Sequence, residues 1–336
     1  MRTVRFYPEA WPLHSAFVIS RGSRTEAKVI VVEIEENDIH AFGECTPYPH
    51  YGESESSVMA QLALVANAIE NGVSREALQP LLPAGAARNA VDSALWQLEC
   101  LQHQQSLWQR SQITAVETVA MAQTVSIGTP EAMAQTVSIG TPEAMACSAK
   151  ALVQLGAHLL KVKLDEHLIA ERLVAIRSAV PEVTLIVDAN EAWQPEGLAA
   201  RCQLLADLGV VMLEQPLPAG EDSSLQNFIH PLPLCADESC HTRADLAGLV
   251  GCYDMVNIKL DKSGGLTEAL LLAEQAKSMG FAIMLGCMLC TSRAIRAALP
   301  LAPGARFIDL DGPTWLANDV EGGLHFSTGT IDLRVR

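Results

Sequence analysis

The stretch Leu159-Leu160-Lys161-Val162-Lys163-Leu164 places two charged residues in an otherwise apolar run. Residues two positions apart on a β-strand point to the same side, so Lys161 and Lys163 share one face. Lysine is rarely buried completely, and a surface strand with one polar face would also explain the pattern. Further apolar strands follow, however, and each ends in an acidic or basic residue. This recurrence favours a site in which the two lysines meet the other charged strand ends.

From about residue 120 the chain alternates between short apolar segments and amphipathic ones. The predicted strands are Lys161–Leu164, Leu185–Asp188, Val210–Glu214, Leu234–Asp237, Met255–Lys259, Ala282–Leu285 and Phe307–Leu310. The polar residues that close the first five strands lie 22 to 26 residues apart. One βα unit of a parallel barrel has about this length. We therefore predict an α/β fold built on a (β/α)7-8 TIM-type barrel.

The first barrel strand is ambiguous because residues 121–132 (MAQTVSIGTPEA) are repeated without change as residues 133–144. Each copy holds a strand-like segment followed by Gly-Thr-Pro-Glu, which is typical of a helix start. Thr136 lies 27 residues before Lys163, and Thr124 lies 39 residues before it. The βα period therefore favours the second copy as the strand. The alternative uses the first copy, because it continues from residues 116–120, and puts the extra residues in a loop at the active-site rim.

The first 115 residues have a different pattern. Alternating segments at 4–8, 16–20, 28–35 and 41–45 predict strands, with a polar loop at 21–24, and helical periodicity follows at 55–71, 75–82 and 87–104. We predict an α+β capping domain over residues 1–115 and the barrel over 116–313. The tail, 314–336, has strand-like alternation over 320–336 and is predicted to return to the capping domain.

Composition limits the classes of partner and the compartment. The net charge is −16 with no cluster of Lys and Arg, which argues against nucleic acid or an anionic membrane surface as partner. The start lacks the apolar region of a signal peptide, and no apolar run reaches about 18 residues, so we expect a cytoplasmic protein. Nine cysteines, an odd number, are typical of core residues in a reducing compartment. Cys287-Met288-Leu289-Cys290 is a lone CxxC without a second pair or histidines for zinc.

Active sites of such barrels lie at the C-terminal ends of the strands. Those ends carry Lys161, Lys163, Asp188, Asn190, Glu214, Asp237, Glu238, Lys259, Asp309 and Asp311. Three carboxylates on adjacent strands, those of Asp188, Glu214 and Asp237, would repel each other unless a cation lies between them. Oxygen ligands with open positions for water and substrate suit Mg²⁺. For any one of these acids alone, a helix cap or a solvated turn is the simpler explanation.

Lys163 and Lys259 could face each other across a bound substrate. A lysine among cations in a partly desolvated site has a lowered pKa and can act as a base near neutral pH, and Lys161 would lower the pKa of Lys163. Mg²⁺ on a substrate carboxylate would stabilise the charge that develops when the α-proton leaves. Two opposed bases permit removal of that proton from one face and its return on the other, a 1,1-proton transfer.

The series 161–163 (KVK), 187–190 (VDAN), 214–216 (EQP), 237–239 (DES) and Lys259 resembles the enolase superfamily, in its muconate-lactonizing subgroup, over essentially the whole chain. More narrowly, 43–49 (GECTPYP), 285–288 (LGCM) and 309–313 (DLDGP) resemble the bacterial dipeptide epimerases. The resemblance implies a Mg²⁺-dependent isomerase that epimerises L-Ala-D/L-Glu and similar dipeptides at the α-carbon of the C-terminal residue. It also suggests a place in cell wall peptide metabolism. The twelve duplicated residues are the one clear departure of this sequence from the family pattern.

The resemblance also implies residue roles that spacing alone does not assign. Asp309 and Asp311 would bind the α-ammonium of the dipeptide, and Arg24 would pair with the glutamate carboxylate. The loop with Tyr48, Pro49 and Tyr51 would cover the substrate. Further substrate contacts are implied for Cys287 and Met288, and auxiliary roles for Asn190 and Glu238. Each of these roles has a structural alternative. Asp309 and Asp311 could cap a strand end, Arg24 could be a surface arginine, and the loop could be purely structural.

Two other functions stay open. Another reaction of the same superfamily, such as o-succinylbenzoate synthesis or cycloisomerisation, would use the same lysines and metal ligands. Asp309 and Asp311 distinguish it, because a substrate without an ammonium group has no use for two carboxylates there. A non-catalytic binding barrel would be free to lose a lysine or a ligand, and none is missing. The sequence leaves the range of dipeptides open and is compatible with a homo-oligomer.

Overall fold

A computed structural model of the protein describes residues 1–19, 22–125 and 141–334. It shows an N-terminal antiparallel sheet with helices on one face, in the order β1 (Arg2–Ile19), β2 (Gly22–Glu36) and β3 (Ile39–Cys45). The helices are α1 (Glu55–Glu70), α2 (Arg75–Leu78), α3 (Ala86–Gln102) and α4 (Leu107–Ser111). Strand β2 begins before the predicted loop ends, so Arg24 lies in the strand, opposite Phe17. Ser20 and Arg21 fall outside the described residues.

Alternation along β2 explains how the capping sheet meets its helices. Ile30, Val32 and Ile34 are fully buried and pack in one cluster with the apolar faces of α1 and α3. Gly43 lets α3 approach β3 directly, because a Cβ at this position would overlap the Ala90 carbonyl oxygen and reach within 2.7 Å of the Ala94 nitrogen. Ser54 caps α1 by a reciprocal pair of hydrogen bonds with Ser57.

A short strand, β4 (Thr118–Ala120), leads into a sheet of eight parallel strands in sequence order. These are β5 (Gln123–Val125), β6 (Leu159–Lys163), β7 (Thr184–Asp188), β8 (Val210–Glu214), β9 (Leu234–Ala236), β10 (Met255–Ile258), β11 (Ala282–Gly286) and β12 (Phe307–Asp309). The Ala122 N–H donates to the Ile308 carbonyl, at 2.6 Å, and so joins the first strand to the last. The predicted (β/α)7-8 TIM-type barrel with an N-terminal cap is confirmed.

Helices lie between these strands, with a short 3-10 turn (Asp222–Leu225) between β8 and β9 and two helices between β10 and β11. They are α5 (Pro142–Gln154), α6 (Ile169–Ala179), α7 (Leu198–Asp207), α8 (Leu246–Leu249), α9 (Leu260–Ser263), α10 (Leu266–Ser278) and α11 (Ser292–Ala298). None of the helices in the described ranges combines the length and the apolar character needed to cross a lipid bilayer.

The first barrel strand comes from the first copy of the duplicated segment, so the preference for the second copy was wrong. Thr124 pairs with Lys161 in parallel register. The reason is chain continuity: β4 is fixed by pairing with a strand of the tail, and only two residues separate it from β5. Helix α5 is capped by Thr141, which belongs to the second copy, whereas Thr136 lies outside the described residues.

The tail forms a hairpin, β13 (His325–Ser327) and β14 (Thr330–Asp332), and β14 pairs with β4. Its buried Ile331 belongs to the core of the barrel. The strand-like part of the tail therefore packs on β4 and the barrel rather than on the capping domain as predicted. The tail contacts the cap earlier, where Leu316 bridges to Leu13 of β1. The domain boundaries at 115 and 313 stay a prediction.

Period-two alternation also fills the barrel interior. Residues from all eight strands pack there: Ala122, Ile186, Met212, Cys235, Met255, Met284, Phe307 and the partly buried Leu159. Two positions further along each strand, the same inward face reaches the C-terminal end of the barrel. We call this layer of apolar side chains the apolar plug. The next inward residue on every strand therefore lies directly above the apolar plug.

Candidate active site

The layer above the plug is almost entirely polar. It consists of Thr124, Lys161, Asp188, Glu214, Asp237, Asn257, Gly286 and Asp309, each two residues after a member of the apolar layer. One step further on the same faces come Lys163, Lys259 and Asp311. The strand ends predicted to carry chemistry are therefore brought together, and the apolar plug beneath isolates them from the other end of the barrel.

Lys161 is the centre of this layer and is only 1% exposed. Its Nζ lies 3.0 Å from Asp188 Oδ2, 2.8 Å from Glu214 Oε2 and 2.8 Å from Asp309 Oδ2. Burial alone would lower the pKa of Lys161, but the three carboxylates outweigh burial and raise it well above the ordinary value. Lys161 is therefore a permanent cation.

The carboxylates respond unequally to their surroundings. Burial opposes ionisation of Asp188, but Lys161 and Lys163 outweigh burial and hold its pKa below the ordinary value. Burial and the nearby charge of Asp188 raise the pKa of Glu214 to about 7. Glu214 Oε2 receives no hydrogen bond of acceptable geometry, although Lys161 Nζ is close to it. Glu214 is thus the member of the layer whose negative charge is least compensated.

Lys163 and Lys259 lie on opposite sides of the barrel. Lys163 ends the second of the eight strands and Lys259 follows the sixth, so half a turn of the barrel separates them. Lys163 Nζ is 2.5 Å from Asp188 Oδ2, and Lys259 Nζ is 2.6 Å from Asp237 Oδ2. Burial lowers the pKa of Lys259, but Asp237, which turns to this lysine here, outweighs burial and raises it. The lowered pKa expected for a lysine beside bound Mg²⁺ stays a prediction.

Asn257, a member of the layer, and Lys262, which contacts the layer from α9, were missed from the sequence. Asn257 Nδ2 donates to Glu214 Oε1 at 2.8 Å, and Lys262 Nζ contacts Asp237 Oδ1 at 2.7 Å and donates to the Asn257 carbonyl. Asn257 shares a strand face with Lys259, and this i, i+2 relation is the signal that identifies it. Lys262 sits one helical turn after Lys259, in α9, and is 1% exposed.

Both lysines of the opposed pair open into one cavity of about 260 Å³ between barrel and cap. The predicted residues in its wall are Arg24, Tyr48, Pro49, Tyr51, Lys161, Lys163, Asn190, Lys259, Cys287, Met288, Asp309 and Asp311. The guanidinium of Arg24 lies over the Tyr48 ring, 5.1 Å from its centroid. Phe17, His50 and Trp315 also line the cavity and were not predicted.

Asp309 and Asp311 form an acidic wall with one unpredicted supporter, Thr124. The Thr124 N–H donates to Asp311 Oδ2 at 3.0 Å, and its hydroxyl donates to Asp309 Oδ1 at 3.4 Å. Burial and the neighbouring Asp309 raise the pKa of Asp311 to about 6. Lys161 partly neutralises the negative charge of Asp309. Asp311 is therefore the carboxylate whose charge a bound cation would neutralise.

The auxiliary residues sit next to the acidic strand ends. The Asn190 N–H donates to Asp188 Oδ1 at 2.9 Å from a backbone with φ of 43°. Glu238 is buried, and its charge adds to those that raise the pKa of Lys259. On the covering loop, His50 Nε2 lies 2.6 Å from Glu191 Oε2 and ties the cap to the strand end after β7.

The three predicted metal ligands face lysine ammonium groups in this structure. Within the described part of the chain, no three His, Cys, Asp or Glu side chains converge as a preformed metal site. Asp188 and Glu214 turn to Lys161, and Asp237 turns to Lys259 and Lys262. The donor set nevertheless fits a hard divalent cation, because it is all oxygen, comes from adjacent strands and includes the poorly satisfied Glu214 Oε2.

Comparison with known proteins agrees with this geometry. Residues 144–335 match the family "Enolase C-terminal domain-like", and residues 1–110 match "Mandelate racemase / muconate lactonizing enzyme, N-terminal domain". The L-Ala-D/L-Glu epimerase of Escherichia coli K12 is 65% identical over 99% of this chain and 100% of its own length. An N-acetyl-D-glutamate racemase of Pseudoalteromonas sp. is 43% identical over 90% of this chain and 92% of its own.

A solved structure extends the comparison to more distant sequences. The dipeptide epimerase from Enterococcus faecalis V583, complexed with Mg and the dipeptide L-Leu-L-Tyr, superposes with a TM-score of 0.89 at 28% identity. The match covers 98% of this chain and 96% of that one. Two family matches that together span most of the chain and a 65% identical relative lead to one conclusion: this chain belongs to the enolase superfamily, among the mandelate racemase and muconate-lactonizing enzymes.

Proposed function

We propose that this protein is a Mg²⁺-dependent dipeptide epimerase that inverts the α-carbon of the C-terminal residue of L-Ala-D/L-Glu and similar dipeptides. The observation that carries the proposal is the placement of Lys163 and Lys259 on opposite sides of one cavity. A single base can remove a proton but returns it to the same face. Two ammonium-bearing side chains half a barrel apart can serve both faces of a planar intermediate.

Asp188, Glu214 and Asp237 would hold the Mg²⁺. When bound, the ion supplies positive charge beside the substrate carboxylate, where negative charge develops as the α-proton leaves. Support comes from the E. faecalis relative, which was solved with Mg and a dipeptide. The Asn257 amide holds Glu214 Oε1 in place, and Lys262 does the same for Asp237 Oδ1.

The proton transfer itself falls to the two lysines. One enters the cycle as the neutral amine and takes the α-proton, and the other enters as the ammonium ion and donates a proton to the opposite face. The next turnover in the reverse direction exchanges the two roles. Lys161, held as a cation by three carboxylates, adds fixed positive charge on the Lys163 side.

Recognition of the dipeptide is assigned to the cavity wall. Asp311, with Asp309 beside it, would bind the α-ammonium, because two carboxylates meet there with one buried lysine shared among several acids. Arg24, on the cap side, would pair with the side-chain carboxylate of the C-terminal glutamate. Tyr48, Cys287 and Met288 would shape the remaining wall and exclude water.

A substrate panel tests the proposal and separates it from the activity of the second relative. We expect the purified enzyme with Mg²⁺ to interconvert L-Ala-D-Glu and L-Ala-L-Glu, and to act far more weakly on N-acetyl-D-glutamate, which has no ammonium group. Chiral chromatography of the products gives both rates. The dipeptide proposal fails if N-acetyl-D-glutamate is the better substrate or if neither dipeptide epimer is converted.

The setting of the enzyme is part of the same proposal. The substrate would be a small dipeptide of the kind released from cell wall peptides, and the net charge of −16 argues against nucleic acid as a partner. We propose a cytoplasmic enzyme, with the oligomeric state open to a homo-oligomer.

A further inference from the structure

The lone CxxC of the sequence lies at the wall of the cavity. Cys287 follows β11 directly, lines the cavity and is partly exposed, whereas Cys290 is 1% exposed behind it. The proposed epimerisation uses neither sulfur atom for chemistry. This pair therefore needs an explanation of its own.

The two sulfur atoms converge on a single point beside Gly312. A Cβ at Gly312 would come 3.2 Å from Cys287 Sγ and 3.1 Å from Cys290 Sγ. The same position would lie 2.5 Å from the Met288 carbonyl oxygen, so the backbone between the cysteines folds around the glycine. Gly312 is the residue immediately after Asp311, which places both thiols against the proposed ammonium-binding wall.

The thiols also interact with each other. A hydrogen bond with Cys287, followed by burial, raises the pKa of Cys290 well above the ordinary value. Cys287 is the thiol that faces the cavity, and Cys290 is the buried thiol beside it. An accessible thiol with a second thiol next to it is the arrangement of a cysteine with a resolving partner.

We propose that Cys287 and Cys290 form a reversible disulfide when hydroperoxides oxidise them, and that this disulfide inactivates the site in the cavity. The Cys287 thiolate attacks one peroxide oxygen, the O–O bond breaks, and a sulfenic acid forms with loss of hydroxide. Cys290 then gives up its proton, attacks the Cys287 sulfur and displaces the hydroxyl group as water. With hydrogen peroxide, two thiols and one peroxide give one disulfide and two waters.

The disulfide changes the cavity because a sulfur–sulfur bond of about 2.05 Å requires the Cys287 side chain to turn towards Cys290. That turn moves atoms packed on Gly312 and hence on Asp311. A reductant such as dithiothreitol restores the dithiol by exchange. This inference goes beyond the proposed function. Its first test detects the disulfide itself, so the result does not depend on whether the protein is an epimerase.

Peptide mass spectrometry tests the bond directly. Trypsin releases residues 278–293, which contain Cys287 and Cys290 and no other cysteine. After treatment of the full chain with hydrogen peroxide and alkylation, we expect this peptide two hydrogen atoms lighter and unalkylated, and doubly alkylated after dithiothreitol. The exposed Cys147 serves as an internal gauge of oxidation. The proposal is overturned if Cys147 is oxidised while this peptide stays reduced, or if Cys287 carries only sulfinic or sulfonic acid.

A pair of matched variants tests the consequence. Epimerisation is measured first on reduced protein, so a failure of the proposed function shows before any oxidant is added. Wild-type protein and Cys202→Ala, which removes an isolated buried thiol, should lose most activity with peroxide and regain it with dithiothreitol. Cys290→Ala should give no disulfide and no dithiothreitol-reversible loss. A disulfide that forms without loss of activity, or reversible loss in Cys290→Ala, overturns the switch.

Discussion

At the scale of single residues, the site is an arrangement of paired charges around Lys161. Each of the two lysines proposed as catalysts touches one carboxylate, and the proposed metal ligands touch lysines as well. Such a layer is stable only when the charges balance, because an unpaired buried ion is costly. Positive charge from a metal ion would therefore rearrange several ion pairs at once.

Gly286 gives this layer the room it needs. A Cβ there would come 2.7 Å from Asn257 Oδ1 and 3.0 Å from Lys259 Cε. We expect Gly286→Ala to displace Lys259 and lower kcat about tenfold or more, because misplacing a reacting group by about 1 Å can cost roughly 100-fold in rate. Gly248→Ala is the matched control, since nothing lies near its Cβ position. Steady-state kinetics of both variants check this, and an unchanged kcat in Gly286→Ala would contradict it.

The acidic wall makes a second residue-scale prediction. Asp311→Asn keeps an acceptor for the Thr124 N–H but removes the charge that would bind the ammonium. Because hydrogen bonds to charged groups contribute about 1.5–3 kcal/mol, we expect KM for L-Ala-D-Glu to rise roughly 10- to 100-fold. Asp207→Asn, at an exposed helix position, should leave KM unchanged. A KM that does not move in Asp311→Asn would remove Asp311 from substrate binding.

At the scale of elements, sequence periodicity predicted seven barrel strands and the residues that end them. This prediction succeeded because a parallel strand that is buried on both faces appears in the sequence as an apolar run. The last inward-facing residue of such a strand reaches the site. The prediction failed at β5, where two identical segments compete. Spacing favours the second copy, whereas the pairing of β4 with β14 shows that the first copy forms the strand. Thr124 was overlooked for the same reason.

The duplication yields an element-scale prediction. Deleting either copy gives the same chain, in which Val125 is followed by Ser-Ile-Gly-Thr-Pro and then by the helix. All residues of β5 and the cap of α5 are kept, and the connection between them loses twelve residues. We expect activity to persist and the free energy of unfolding to rise by about 1 kcal/mol from lower loop-closure entropy. Urea denaturation measures this, and a destabilised or inactive deletion protein would show that the extra residues are needed.

At the scale of the whole molecule, cap and barrel are joined by buried carboxyl groups. Glu44 accepts hydrogen bonds from the Thr291 N–H at 2.7 Å and from its hydroxyl, with Arg293 close by. Asp261 accepts from the Thr46 N–H at 3.0 Å and from Asn89 Nδ2 at 2.9 Å. Burial raises the pKa of each to about 7. This contact could not be predicted from sequence, because its residues are far apart along the chain.

These carboxyls make stability depend on pH. From about pH 5 to pH 7 the folded protein retains protons on Glu44 and Asp261 that the unfolded chain has released. The free energy of unfolding should therefore fall as pH rises through this window. Asp261→Asn, which keeps the accepting oxygen, should flatten the fall by on the order of 1 kcal/mol or more, and Asp207→Asn should not. Urea titrations at several pH values check this, and identical slopes in both variants would contradict it.

The central claim is that Lys163 and Lys259 serve opposite faces of one α-carbon. Proton NMR of L-Ala-D-Glu and L-Ala-L-Glu in D₂O, with Mg²⁺ and each lysine changed in turn to Ala, tests it most directly. We predict that wild-type enzyme and the exposed-lysine control Lys28→Ala interconvert the epimers with deuterium at the glutamate α-carbon. Lys163→Ala and Lys259→Ala should not interconvert them, and each should exchange the α-proton of only one epimer, a different one in each variant. Interconversion by either variant at a rate near wild type, or exchange of the same epimer by both, would contradict the two-base account.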